Sequence, residues 1–187
     1  MNRDAQAEAL KELQTIRQMM QMTRHTIQRA GAGQFMVLWG VVWLLGFGGQ
    51  QFLSPVASGW TWMVLDLLGG VGSVVLGARL GRRMQSRVGG RVGLWWLALL
   101  AYGVLLVWVL KLSAANQVTL VITLFAAMGY VLTGIMLSGM ITLLGVLLTL
   151  LALLGYYFLP AYFSLWMAIF GGGTLIGSGL WVMRRWS

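Results

Sequence analysis

Cysteine is absent from this chain of 187 residues, and histidine occurs once. No disulfide, thiolate metal site, iron–sulfur cluster or cysteine nucleophile can be built. Acid is nearly as scarce, with Asp and Glu totalling 4. One buried acid without a second carboxylate or an imidazole cannot form the usual acid–base pair. The chain is therefore read as non-catalytic, and no cofactor or metal is expected. The single His25 reads as a solvated interfacial side chain, and the scattered methionines as packing groups. Charge of either sign is thin: charged types make up 9%, against about 25% in an ordinary soluble domain.

What is present is apolar. Apolar types reach 59% and mean hydropathy is +0.81. That leaves too little polar surface to cover a globule in water, so lipid must surround most of the chain. A hydrocarbon layer about 30 Å thick is crossed by roughly 20 residues of helix. The fold class that follows is all-α: a polytopic membrane protein of six transmembrane helices with an N-terminal cytoplasmic amphipathic helix. The spans are predicted at about 34–53, 60–80, 92–112, 118–137, 140–159 and 162–183. The turns between them fall at Ser54-Pro55 to Gly59, Gly81 to Arg91, Ser113 to Gln117, Ser138-Gly139 and Pro160-Ala161. No short basic stretch leading to an apolar core and a cleavage site opens the chain, so the first span is expected to act as the insertion signal.

Residues 1–30 differ from the rest. Ala9, Leu13, Ile16, Met20, Thr23, Ile27 and Ala30 recur at alternating steps of four and three, which is one face of a helix. This helix either lies on the headgroups or uses residues 9–30 to self-associate or dock to a protein partner.

The net charge of +9 points to topology rather than to nucleic acid. Arg17, Arg24 and Arg29 precede the first span. Arg79, Arg82, Arg83, Arg87 and Arg91 lie at or between the second and third, and Arg184 and Arg185 close the sixth. Six crossings put all of them on one side, and Lys111 stands alone on the other. The positive-inside rule makes the basic side cytoplasmic, with both termini there. The loop arginines also suit anionic lipid headgroups. Trp60, Trp62, Trp108 and Trp166 near the outer ends, with Trp95, Trp96, Trp181 and Trp186 near the inner ends, read as interfacial belts.

The first and last hairpins share a pattern, Gly40…Pro55…Trp62…Gly69 and Gly145…Pro160…Trp166…Gly173. In this they resemble the HdeD-like family of small six-helix bacterial membrane proteins. The resemblance covers the outer hairpins only. The N-terminal helix and the Arg-rich loop depart from it. It implies a bacterial inner-membrane protein and brings no chemistry to transfer.

Asp66 is the one acid inside an apolar span, and an intramembrane carboxylate is a functional candidate by default. Gly69, Ser73, Gly77 and Gly81 follow it at fourfold spacing, which predicts close helix packing with Asp66 turned toward protein. Gly173 and Gly177 in the sixth span read the same way. Lys111 is the predicted partner of Asp66. A second stripe, Thr123, Ala127, Tyr130, Gly134 and Ser138, runs down the fourth span. It is either a helix contact or, with Asp66, the lining of a polar path. Two functions follow: an accessory, assembly or regulatory membrane component, or a small transporter or channel.

Overall fold

The computed structural model describes residues 31–84, 88–137 and 139–185. Residues 1–30, Arg87 and Ser138 lie outside the described residues, and the side chains of Gly81, Arg82, Arg83 and Arg91 are not described.

Among the described residues, six helices are long and apolar enough to cross a membrane. They are α1 (Ala32–Phe52), α2 (Pro55–Met84), α3 (Val88–Val109), α4 (Ala115–Leu137), α5 (Gly139–Phe158) and a composite sixth span. The sixth span runs through a 3-10 turn Pro160–Tyr162, a helical turn α6 (Phe163–Trp166), a π segment Met167–Gly172 and the final helix α7 (Gly173–Arg185). The chain is an all-α polytopic membrane protein.

The ends of α1 and α2 show how local chemistry sets the boundaries. Leu53 leaves α1 in an extended conformation, φ −90 and ψ 156. Pro55 then opens α2. Proline suits the first helical position because its missing N–H would be unsatisfied there anyway. The Ser54 hydroxyl accepts from Ala57 N–H at 3.4 Å, a long capping contact. So α2 starts at Pro55, five residues before the expected Trp60. Asp66 thus lies about 16 Å along the helix, from 1.5 Å per residue. That is near the middle of the apolar window Pro55–Leu80, deeper than the sequence spacing suggested.

α3 ends in a Schellman motif. Leu112 N–H donates to Val107 O at 3.1 Å and Lys111 N–H donates to Trp108 O at 3.2 Å. This geometry needs a left-handed residue, usually glycine, and Lys111 supplies it with φ 49. A cation there also complements the negative end of the helix dipole. Lys111→Gly is expected to keep the fold and gain roughly 1 kcal/mol, less the lost dipole contact. Detergent unfolding followed by tryptophan fluorescence checks this.

The core is built by α1, α4, α5 and the sixth span. Leu148, Phe163, Met167 and Leu175 are fully enclosed there. Backbones touch at two glycine-lined crossings. At the α1–sixth span crossing, a Cβ on Gly33 would stand 2.7 Å from Gly179 O, and one on Gly172 would stand 2.9 Å from Gly40 O. At the α4–α5 crossing, Gly145 faces Ala127 O and Val131 N, and Gly134 abuts Thr142. The π segment belongs to the first crossing: its wide turn carries Gly171 against Trp43 and Gly172 against Leu44.

The other two helices sit apart. Only 6% of the apolar window is buried in α2 and in α3, against 39% in α1. α2 leans on α1. α3 is tied to α4 through Gly103 on Phe125 and Gly129 under Trp96.

Candidate functional site

Two polar features stand out: one inside the bundle, at the end opposite the basic loop, and one on its outside.

The inner feature centres on Gln50, at the last turn of α1. Its amide donates to Thr119 Oγ1 on α4 at 2.9 Å and to Ser164 Oγ in α6 at 3.1 Å. Its carbonyl accepts from the Trp62 indole of α2 at 2.9 Å. One side chain thus ties four spans together. Gln51 extends the clasp, donating to Ala161 O at 3.1 Å and accepting from Leu165 N–H at 3.3 Å. Asn116 donates to Pro160 O at 2.8 Å, joining the start of α4 to the same turn. Thr119 and Ser164 are buried. Where water is scarce, such donors and acceptors hold helices together because each would otherwise lack a partner. This cluster was not among the sequence-derived candidates. Its signal was the Gln50-Gln51 pair at the end of an apolar run, which reads as an ordinary span boundary until the fold places Thr119 and Ser164 beside it.

Thr123 lies one helical turn below Thr119. It is 1% exposed, and its hydroxyl has no hydrogen-bond partner among the described residues. Tyr130, two turns further, packs edge-on to Trp96 with ring centroids 5.1 Å apart. Ala127 and Gly134 are buried against α5. The α4 stripe is therefore a helix contact.

Asp66 stands elsewhere. Its side chain is exposed on the outside of α2, so it faces away from the bundle instead of toward it. Among the described residues it makes no hydrogen bond or ion pair, and Lys111 is not joined to it. The reason is geometric: Lys111 closes the end of α3, whereas Asp66 lies mid-helix on α2. Ser73 is engaged separately, accepting from the Trp39 indole at 3.1 Å. A charged carboxyl at the centre of an isolated span costs roughly 2.5–3.5 kcal/mol on insertion scales. No other side chain of the described residues offsets that here.

The predicted packing glycines divide. Gly69 does pack, 3.3 Å from Trp39 and Val42 through an added Cβ. Gly77, Gly173 and Gly177 face open space. The close approaches assigned to Gly173 and Gly177 are made by Gly172 and Gly179, which share with Ile176 the helix face turned toward α1. Of the loop arginines, Arg79 is exposed on α2, and the positions of Arg82, Arg83 and Arg91 fall within helices.

Three of the tryptophans assigned to interfacial belts work inside the fold. Trp62 covers Gly46, Trp96 covers Gly129, and Trp166 packs on Gly155 while its indole donates to Leu151 O at 2.9 Å. Trp60 and Trp108 remain exposed. In both outer hairpins the tryptophan after the proline therefore seats on a glycine of the preceding helix.

No protein-family model, curated protein or solved structure matches this chain.

Proposed function

We propose that this integral membrane protein is a non-catalytic accessory, assembly or regulatory component of the bacterial inner membrane, with both termini cytoplasmic. The placement of Asp66 carries the reading. A coupled transporter built on this chain would need Asp66 and the α4 stripe to share a path. Instead Thr123 and Tyr130 point into the helix contact, and Asp66 points out of the bundle. An outward carboxyl suits a component whose lateral face is covered by another protein. Residues 9–30, read as an amphipathic face, offer a cytoplasmic docking element, and the Arg79–Arg91 stretch offers contact with anionic lipids.

Proton flux tests the reading against the transporter. Vesicles containing the purified protein and a trapped pH dye are expected to leak protons no faster than protein-free vesicles, with wild type and Asp66→Asn alike. A flux present in wild type and removed by Asp66→Asn overturns the accessory reading.

A further inference from the structure

The hydrogen bonds around Gln50 run in one direction, and that direction leaves donors over. An indole only donates, so the 2.9 Å contact with Trp62 fixes the Gln50 carbonyl toward α2. The amide nitrogen must then face α4 and α6. Both of its protons are taken, one by Thr119 Oγ1 at 2.9 Å and one by Ser164 Oγ at 3.1 Å. The two hydroxyls accept these bonds, which leaves their own O–H groups to donate. Neither finds an acceptor among the described residues, although each residue is only 6% exposed. Other threonines in the bundle turn back on their own helix: Thr61 donates to Ala57 O at 2.9 Å and Thr149 to Gly145 O at 3.0 Å. Thr119 and Ser164, held by Gln50, do not. Thr123 adds a third hydroxyl one turn further along the same face of α4. It is 1% exposed, and its buried oxygen has no partner among the described residues.

We propose that these three hydroxyls bind one buried water, which joins Thr123 to the Gln50 cluster. The spacing carries the assignment. Residues four apart on a helix hold their Cβ atoms about 5–6 Å apart, so Thr119 and Thr123 are neighbours too distant for a direct bond. An O–H···O contact is about 2.8 Å, so one water between them reaches both. Ser164 stands at a similar remove from Thr119. Two bonds near 3 Å, opening at the roughly 120° of a planar amide, place their oxygens about 5 Å apart. A water seated against all three accepts from Thr119 and Ser164 and donates to Thr123. Three bonds are the usual number for a buried water. An anion fits less well, because every side chain bonded into the cluster is neutral and a buried charge needs a counter-charge. A cation is opposed by the Gln50 amide protons, which already take a lone pair from two of the three oxygens. The water carries the clasp one turn deeper, to about 12 Å from the start of α4, and links Thr123 to the sixth span. The proposal does not rest on the accessory reading, since the cluster is the same in a transporter.

Thr123→Val tells a bonded hydroxyl from an idle one by the sign of its effect, because valine keeps the shape and removes the O–H. Removing a buried hydroxyl that has no partner raises stability, whereas removing a bonded one lowers it. In detergent-driven unfolding of the full-length protein, Thr123→Val is expected to lower the folding equilibrium constant about five- to tenfold. Thr133 is the comparison. Its buried hydroxyl also lacks a partner among the described residues, but Gly129 and Leu137 lie one turn away and offer no second hydroxyl. Thr133→Val is expected to leave the constant unchanged or raise it. In the Gln50→Leu background, where Thr119 and Ser164 are no longer held, the Thr123→Val loss is expected to shrink to about twofold or less. Solid-state NMR of the wild-type protein in lipid vesicles, with labelled threonine, reads the water without any variant. Magnetisation transfer from water protons is expected at the Thr123 methyl and absent at the Thr133 methyl. A Thr123→Val protein as stable as wild type or more so overturns the proposal, as does no transfer at Thr123. Stability that rises with halide concentration in wild type but not in Thr123→Val overturns it in favour of an anion.

Discussion

Gly40→Leu is expected to separate α1 from the sixth span and lower stability by about 3 kcal/mol or more, a loss at the severe end for one substitution. An added Cβ at Gly40 would stand 2.7 Å from Ile176 Cγ1, 2.8 Å from Ile176 N and 3.0 Å from Gly172 O. Two of those three atoms are backbone, so no rotamer change relieves them. The helices must move apart, and the crossing is shared. Gly33 with Gly179 lies one side of it and Gly172 with Leu44 the other, so a shift at Gly40 disturbs every contact along the line. Gly172→Leu is expected to do the same. Gly48→Ala is the control: nothing lies within 4 Å of its added Cβ, so the change should stay within about 1 kcal/mol. Detergent-driven unfolding of the reconstituted protein, followed by tryptophan fluorescence, ranks the three. A Gly40→Leu protein as stable as the Gly48→Ala protein would mean that the α1–sixth span crossing is not a backbone contact.

How much of this was legible in the residues depends on which physical term sets each feature. The six spans follow from transfer free energy summed over about 20 residues, which no single contact can reverse, so their number was readable from composition. Boundaries depend on local caps. Ser54-Pro55 reads equally well as a turn or as a helix start, and choosing the turn displaced Asp66 by five residues. Helix faces were harder. In lipid both sides of a helix are apolar, so hydropathy does not say which side is inside. The small-residue stripe on α2 mixes Gly69, which packs on Trp39 and Val42, with Gly77, which faces open space, and spacing alone does not separate the two. The Gly171-Gly172-Gly173 run was visible, but which of its glycines meets α1 depends on how the helix is rotated, and spacing does not disclose that. From the sequence Lys111 reads as the partner of Asp66, because six crossings leave no other cation at that end of the spans. Its backbone role in the Schellman turn is a conformational fact that residue chemistry alone does not disclose.

Gln50→Leu is expected to have the second-largest effect, a loss of about 2 kcal/mol. Leucine fills much the same volume, so the change isolates three hydrogen bonds instead of opening a cavity. The three are not equal. Thr119 and Ser164 lose a donor, but each hydroxyl rotates freely and can donate to a backbone carbonyl four residues back, Ala115 O for Thr119 and Pro160 O for Ser164. The Trp62 indole cannot adapt in this way, since it only donates, and it is held over Gly46 by packing, 2.6 Å from an added Cβ. Most of the loss therefore sits on the Gln50–Trp62 pair. In the Gln50→Leu background, Trp62→Phe should add less than it removes from wild type, with a coupling of about 1 kcal/mol. Gln51→Leu, whose bond to Ala161 O is exposed, should lose less because water can replace that partner. The same unfolding titration reads all four variants. Independent, additive effects of Gln50→Leu and Trp62→Phe would show that the indole finds another acceptor, and the clasp would then reduce to α1, α4 and α6.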